Sequence, residues 1–243
     1  MPYIKRITIA GKTKEIEKSY SSRYGKRGIG RSKNMNPTPE DVKKVNQRNA
    51  EKRLRRLINC NFEKNDIHLV LTYKKENRPT PEAAKKILAN FIRRMKREYE
   101  KQGIEFKYIH VTEYGKKNGA IHHHILLPGI DTRVIQDQWP NGKARPTYFD
   151  DNGDYGKLAN YLIKETSKAF MKDDATGRRY HPSRGLKQPK TIVKVVMSKS
   201  YREEPKPEKG YYIEKDSIRN GVHELTGSPY QFYRMIALDR GAK

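Results

Sequence analysis

Apolar residues recur along this chain in two rhythms, and each rhythm predicts a kind of element. Ala84, Ile87, Leu88, Phe91, Ile92, Met95 and Tyr99 recur at spacings of three and four, with Lys85, Lys86, Arg93, Arg94, Lys96 and Arg97 mostly off that stripe. This is the pattern of an amphipathic helix facing a sheet. Thr80-Pro81-Glu82 opens it with an N-cap and a first-turn proline, and Gly103 ends it. The same start signal at Thr38 to Asp41 leads into a thinner stripe of Val42, Val45, Leu54, Leu57 and Ile58. Short β-rich runs alternate with these helices. NDIHLVLTYKK predicts a strand, and IEFKYIHVTEY with AIHHHILLPG predicts a β-hairpin whose turn contains Asn118-Gly119. DNGDYGKLANYLIKETSKAF predicts a turn and a helix starting near Asp154, and KTIVKVVM a late strand. Strand, helix, hairpin and helix in this order predict an α+β fold with a mainly antiparallel central sheet and helices against one face.

Composition changes the picture in one respect. Of 243 residues, 53 are Lys or Arg against 28 Asp or Glu, a net charge of +25, so the expected partner is a polyanion. Nucleic acid fits that best; a merely soluble basic protein is the plain alternative. Residues 10–36 mix Lys, Arg, Ser and Gly with few aliphatics, which predicts a flexible basic arm. The expected organisation is therefore an arm over 1–37, a principal domain over 38–200 and a partly irregular C-terminal extension over 201–243. No apolar run reaches the ~20 residues of a spanning helix, and the first residues lack the longer apolar segment of a secretory signal. The single cysteine, Cys60, excludes an intrachain disulfide framework, and a reducing cytoplasm is the expected location.

Candidate chemistry sits in the hairpin. On a strand His122 and His124 point one way while Ile121, His123 and Ile125 point the other. Glu113 stands on the preceding strand, and cross-strand partners on one face approach to ~4.5–5.5 Å at Cβ. A carboxylate and two imidazoles that converge leave coordination positions open on a metal, as Lewis-acid activation of a phosphate requires. A plain pair of surface histidines is the alternative. On the later helix Tyr161, Lys164 and Lys168 share a face, with Leu158 and Leu162 on the edge that meets the core. A cation beside a phenol favours the phenolate, the better nucleophile, although a surface tyrosine beside a solvated lysine would look the same.

A metal-ligand hairpin followed by a tyrosine helix, in so basic a chain, resembles the rolling-circle replication initiators (Rep proteins) of the HUH endonuclease superfamily. HLVLTYK at His68 to Lys74 looks like the first strand motif of that family, HHH at His122 to His124 like its histidine motif, and YLIK at Tyr161 to Lys164 like its Tyr-x-x-Lys motif. The middle histidine departs from the usual bulky hydrophobic residue. The wider layout, with KGYYIEKDSIRNG at Lys209 to Gly221, is similar to Rep-type proteins of bacterial plasmids and phages. The resemblance implies Glu113, His122 and His124 as ligands of Mg²⁺ or Mn²⁺, Tyr161 as nucleophile and Lys164 as its helper at the phosphate. It implies site-specific nicking and joining of single-stranded DNA at a replication origin, through a 5′-phosphotyrosine. With no GxxxxGK[ST] motif in the chain, strand separation would fall to supercoiling, an extruded hairpin or a host helicase, with a host polymerase following. Lys168, Arg93, Arg94 and Tyr155 are candidate DNA contacts, Tyr155 equally a structural residue. The rival readings are an HUH transposase, a zinc-dependent hydrolase and a non-catalytic nucleic-acid-binding protein.

Overall fold

The computed structural model describes residues 2–20, 38–115, 120–150, 152–170, 179–198, 200–223 and 227–238, with the backbone alone at 165 and 167–170. In chain order these form β1 (Tyr3–Ala10), β2 (Thr13–Tyr20), α1 (Pro39–Asn61), β3 (Ile67–Thr72), α2 (Pro81–Lys101), β4 (Ile109–Tyr114), β5 (Ile121–Leu127), α3 (Thr132–Asp137), β6 (Ala144–Tyr148), α4 (Gly156–Phe170), β7 (His181–Pro182), β8 (Lys190–Val196), β9 (Tyr211–Val222) and β10 (Pro229–Ala237). The fold is α+β with antiparallel sheets, as the order of patterns predicts. Two five-stranded sheets, rather than one central sheet, carry it.

They belong to two compact units, one made of residues 61–187 and the other of residues 1–60 with 188–243. The expected division at 37 and 200 therefore differs from the observed one. In the 61–187 unit the strand order is β6-β3-β5-β4-β7. α2 lies against one face, where Leu88, Phe91, Met95 and Tyr99 pack with Ile67, Leu69, Leu71, Ile125 and Leu127. Burying each such large side chain contributes about 1.5–3 kcal/mol. The helix starts where its cap directs: the Thr80 hydroxyl accepts from the Ala83 N–H at 3.3 Å, and Gly103 follows the end at φ +67°. The Tyr99 hydroxyl donates to the Pro128 carbonyl at 2.6 Å, so this buried phenol is satisfied. α4 lies against β4 on the other face, so helices cover both faces and not one. Where the chain enters and leaves the unit, the Asn61 side-chain amide donates to the Lys187 carbonyl at 2.9 Å and accepts from the Lys187 N–H at 2.8 Å.

The other unit corrects the expectation of a flexible arm. Its sheet runs β8-β1-β2-β10-β9, and residues 3–20 form its central hairpin. β2, TKEIEKSY, has little apolar content because ion pairs, not aliphatic burial, hold one of its faces. Glu15, 1% exposed, accepts from Arg55 at 2.6 and 2.9 Å and from Arg56 at 2.7 Å; Glu17 accepts from Lys52 at 2.6 Å and Arg6 at 3.2 Å. Gly11 turns the hairpin at φ +56°, and a Cβ there would lie 1.9 Å from the Asn59 carbonyl oxygen on α1. Only glycine lets the turn pass that close to the helix. The rest of the expected arm, 21–37, lies outside the described residues, as does the Asn118-Gly119 turn. The C-terminal extension is likewise more regular than expected: β10 buries Gln231, Phe232, Tyr233, Met235 and Ile236 between β2 and β9.

Candidate active site

Strand alternation and register assemble the site. β5 presents His122 and His124 on the α4 side and turns His123 to the α2 side. β4 pairs antiparallel with it so that Glu113 stands opposite His122. The Glu113 Oε2 lies 3.3 Å from His124 Nε2 and 3.8 Å from His122 Nδ1. On the other flank β3 brings His68 diagonally beside His124, with His68 Nε2 and His124 Nδ1 3.1 Å apart and the rings stacked at 5.4 Å. One of these nitrogens donates and the other accepts. Burial, and then the neighbouring His124, push His68 down to about 4, so it is neutral at neutral pH.

Tyr161 on α4 stands edge-on to both rings, at 5.5 Å from His124 and 6.4 Å from His68. Its helix packs through Ala159, Leu162 and Ile163, all buried, while Leu158 is half-buried. Tyr161 itself is 44% exposed, and Lys164 on the next turn is exposed as well. A substrate can therefore reach the phenol from solvent while the imidazoles behind it are held in place.

Two imidazoles and a carboxylate are donor types that small divalent cations accept. Ligands at ~2.0–2.2 Å from one ion lie about 2.8–3.6 Å from each other, a range that takes in the 3.3 Å between His124 and Glu113 but not the 3.8 Å between His122 and Glu113. Among the described residues no three His, Cys, Asp or Glu side chains stand close enough together to hold a metal ion as they are placed. His122, whose side chain is 38% exposed, is the group that has to close the gap. With His124 Nε2 turned to a cation, its Nδ1–H donates to His68, an arrangement in which a second imidazole fixes the ligand's tautomer. His123 takes no part: Tyr73 Oη and Thr112 Oγ1 hold its two nitrogens at 2.9 and 3.0 Å.

The remaining candidates lie elsewhere. Tyr155 is 6% exposed and packs on Phe149 at 4.6 Å, so its ring is structural and out of reach of DNA. Arg93 and Arg94 lie on α2, on the far face of the sheet; Arg94 donates to the Gln138 carbonyl at 2.8 Å and Arg93 to Asn90 at 2.7 Å. The Lys168 side chain lies outside the described residues. Sequence reasoning missed His68 as a site residue. The signal was available in IHLVLT, where the one ring among aliphatics falls out of step with Ile67, Leu69 and Leu71, but its neighbour on β5 depends on a register the sequence does not display.

Residues 66–170 match the family described as Replication-associated protein ORF2/G2P. The matched segment begins just before β3 and ends with α4, so it contains His68, Glu113, His122, His124, Tyr161 and Lys164, while covering less than half of the chain. No curated protein and no solved structure matches the chain significantly. The family match supports a replication-initiator role and DNA as the partner. Among the described residues no helix is long and apolar enough to cross a membrane.

Proposed function

We propose that the 61–187 unit nicks and rejoins single-stranded DNA in the HUH manner, with Tyr161 as nucleophile, and that it starts rolling-circle replication of a plasmid or phage. The observation that carries this reading is the placement of a solvent-accessible Tyr161 edge-on to His124, which itself faces Glu113 at 3.3 Å. Glu113, His122 and His124 would hold Mg²⁺ or Mn²⁺, which supplies Lewis-acid polarisation of the scissile phosphate. The chain's own residues do the rest. The Tyr161 Oη attacks phosphorus as its phenol proton departs, the P–O3′ bond breaks, and the leaving 3′ oxygen takes up a proton. The products are a 5′-phosphotyrosine and a free 3′-OH. Lys164, one turn on, offsets negative charge at the phosphate. Reversal of the same steps joins strands, since the phosphotyrosine conserves the bond.

Labelled single-stranded fragments of the replicon, incubated with Mn²⁺ or EDTA and run on denaturing gels, test this. The expected result is a labelled band at protein mass that requires metal and is lost in Tyr161→Phe. Cleavage without an adduct that survives Tyr161→Phe would instead assign the reaction to water, and binding with no cleavage would leave a DNA-binding protein.

A further inference from the structure

The second unit contains a cleft of its own, about 210 Å³, between α1 and the β9–β10 edge of its sheet. Arg48 and Lys52 reach it from α1, Arg219 and His223 line it from the β9 side, and Tyr230 and Phe232 form the β10 floor. Cationic side chains outnumber acids along it, and two of the acids are engaged: Glu17 holds Lys52 at 2.6 Å and Glu51 lies 3.8 Å from Arg55. Lys52 and Arg55 also stand over the Phe232 ring, at 5.3 and 5.8 Å. The lining therefore keeps a net positive charge beside its aromatic floor, with Lys52 and Arg55 already paired to acids. Burial lowers the pKa of the His223 imidazole; of the charges around it Glu17 acts most strongly, in the opposite direction, and Arg48 and Lys52 add to the fall. Burial, and then Glu17, raise the pKa of the Tyr230 phenol, while Arg219 and Arg48 oppose the rise.

We infer that this cleft binds a phosphate group of the DNA backbone, giving the chain a second DNA contact outside the nicking unit. Two guanidiniums lining one cleft suit a phosphodiester, which accepts paired N–H donors, and the ring floor gives the adjoining sugar or base an apolar surface. The inference rests on the DNA-handling reading above but uses none of its residues.

The test uses the full chain. Anisotropy of a fluorescein-labelled mixed-sequence oligonucleotide, single-stranded and duplex, is followed over a KCl series for the wild type, for Arg48→Gln/Arg219→Gln, and for Lys85→Gln/Lys96→Gln as a charge-matched control. The double arginine variant is expected to lower the slope of log K against log[salt] by about 1.4 on single strands or about 1.8 on duplex, and the control to leave it unchanged. An unchanged slope in the arginine variant, or an equal fall in the control, would overturn the inference. Should the variant fail to fold, NMR of the wild-type His223 ring on addition of millimolar methyl phosphate decides: a saturable shift supports the site and no shift overturns it. A methyl phosphate shift that is lost in the arginine variant, with DNA slopes unchanged, would assign the cleft to a free phosphate compound instead of DNA. Adduct formation by the wild type, read on separate gels, reports on the nicking reading alone.

Discussion

Acidification should loosen the 61–187 unit before any acid works on its carboxylates. Three imidazoles there are pushed far below their ordinary value of 6.5: His68 to about 4, His110 to about 3 and His123 to about 4. Burial is the chief cause in each, with His124 adding to His68, His181 and His123 to His110, and His124 and His122 to His123. Because the folded pKa lies below the unfolded one, the unfolded chain takes up protons first. Stability is then intact above about pH 6.5 and is lost as pH falls toward the folded values. At about pH 5 the gap of roughly 1.5 pH units to the unfolded pKa corresponds to about 2 kcal/mol per imidazole. The three together set a ceiling of about 6 kcal/mol, since neighbouring histidines titrate as a group and do not add fully. Asp66, whose pKa burial raises, pulls the other way and trims the loss. Trp139, the single tryptophan, is 2% exposed, lies edge-on to His123 and donates to the Thr72 carbonyl, so its fluorescence reports on this unit. Urea unfolding followed through Trp139 at about pH 7 and about pH 5 should show that loss. In His110→Leu the difference should shrink by about 2 kcal/mol. An unchanged midpoint between the two pH values, or a fall that His110→Leu leaves intact, would refute the assignment to buried imidazoles.

Three further outcomes follow from the geometry. Lys164→Ala should slow adduct formation about a hundredfold with little change in oligonucleotide affinity, and an unaltered rate would remove Lys164 from the chemistry. His68→Leu should weaken Mn²⁺ binding by about 10–100-fold in calorimetry, with His68→Gln recovering part of it through its amide oxygen; equal losses in both would reduce His68 to packing. Glu15→Ala leaves Arg55, whose side chain is 4% exposed, without its main carboxylate and should cost about 3–5 kcal/mol of stability by circular dichroism, whereas a near-neutral effect would mean the pair is replaceable.

What the sequence made legible was whatever rested on period and local chemistry. The α2 stripe, its Thr80 cap and Gly103 stop, and the split of His122 and His124 from His123 all follow from rules that act within one element. The hidden parts rested on partners distant in sequence. β2 looked like a solvated tail because its Glu15 is neutralised by arginines some forty residues away, which no hydropathy pattern records. β10 looked irregular until β2 and β9 flanked it. Tyr155, which the sequence leaves open as a DNA contact or a structural residue, is covered by Phe149 from the loop before it, and His68 became a neighbour of His124 only through the pairing of β3 with β5.

The amide clasp between Asn61 and Lys187 gives residues 61–187 the character of a cassette. A segment whose two ends are tied to each other by a reciprocal pair of bonds asks little of the polypeptide on either side, since its entrance and exit already coincide. Such a piece can be carried in a loop of an unrelated host without stretching it. The segment that brings His68, Glu113, His122, His124 and Tyr161 together is in this sense portable.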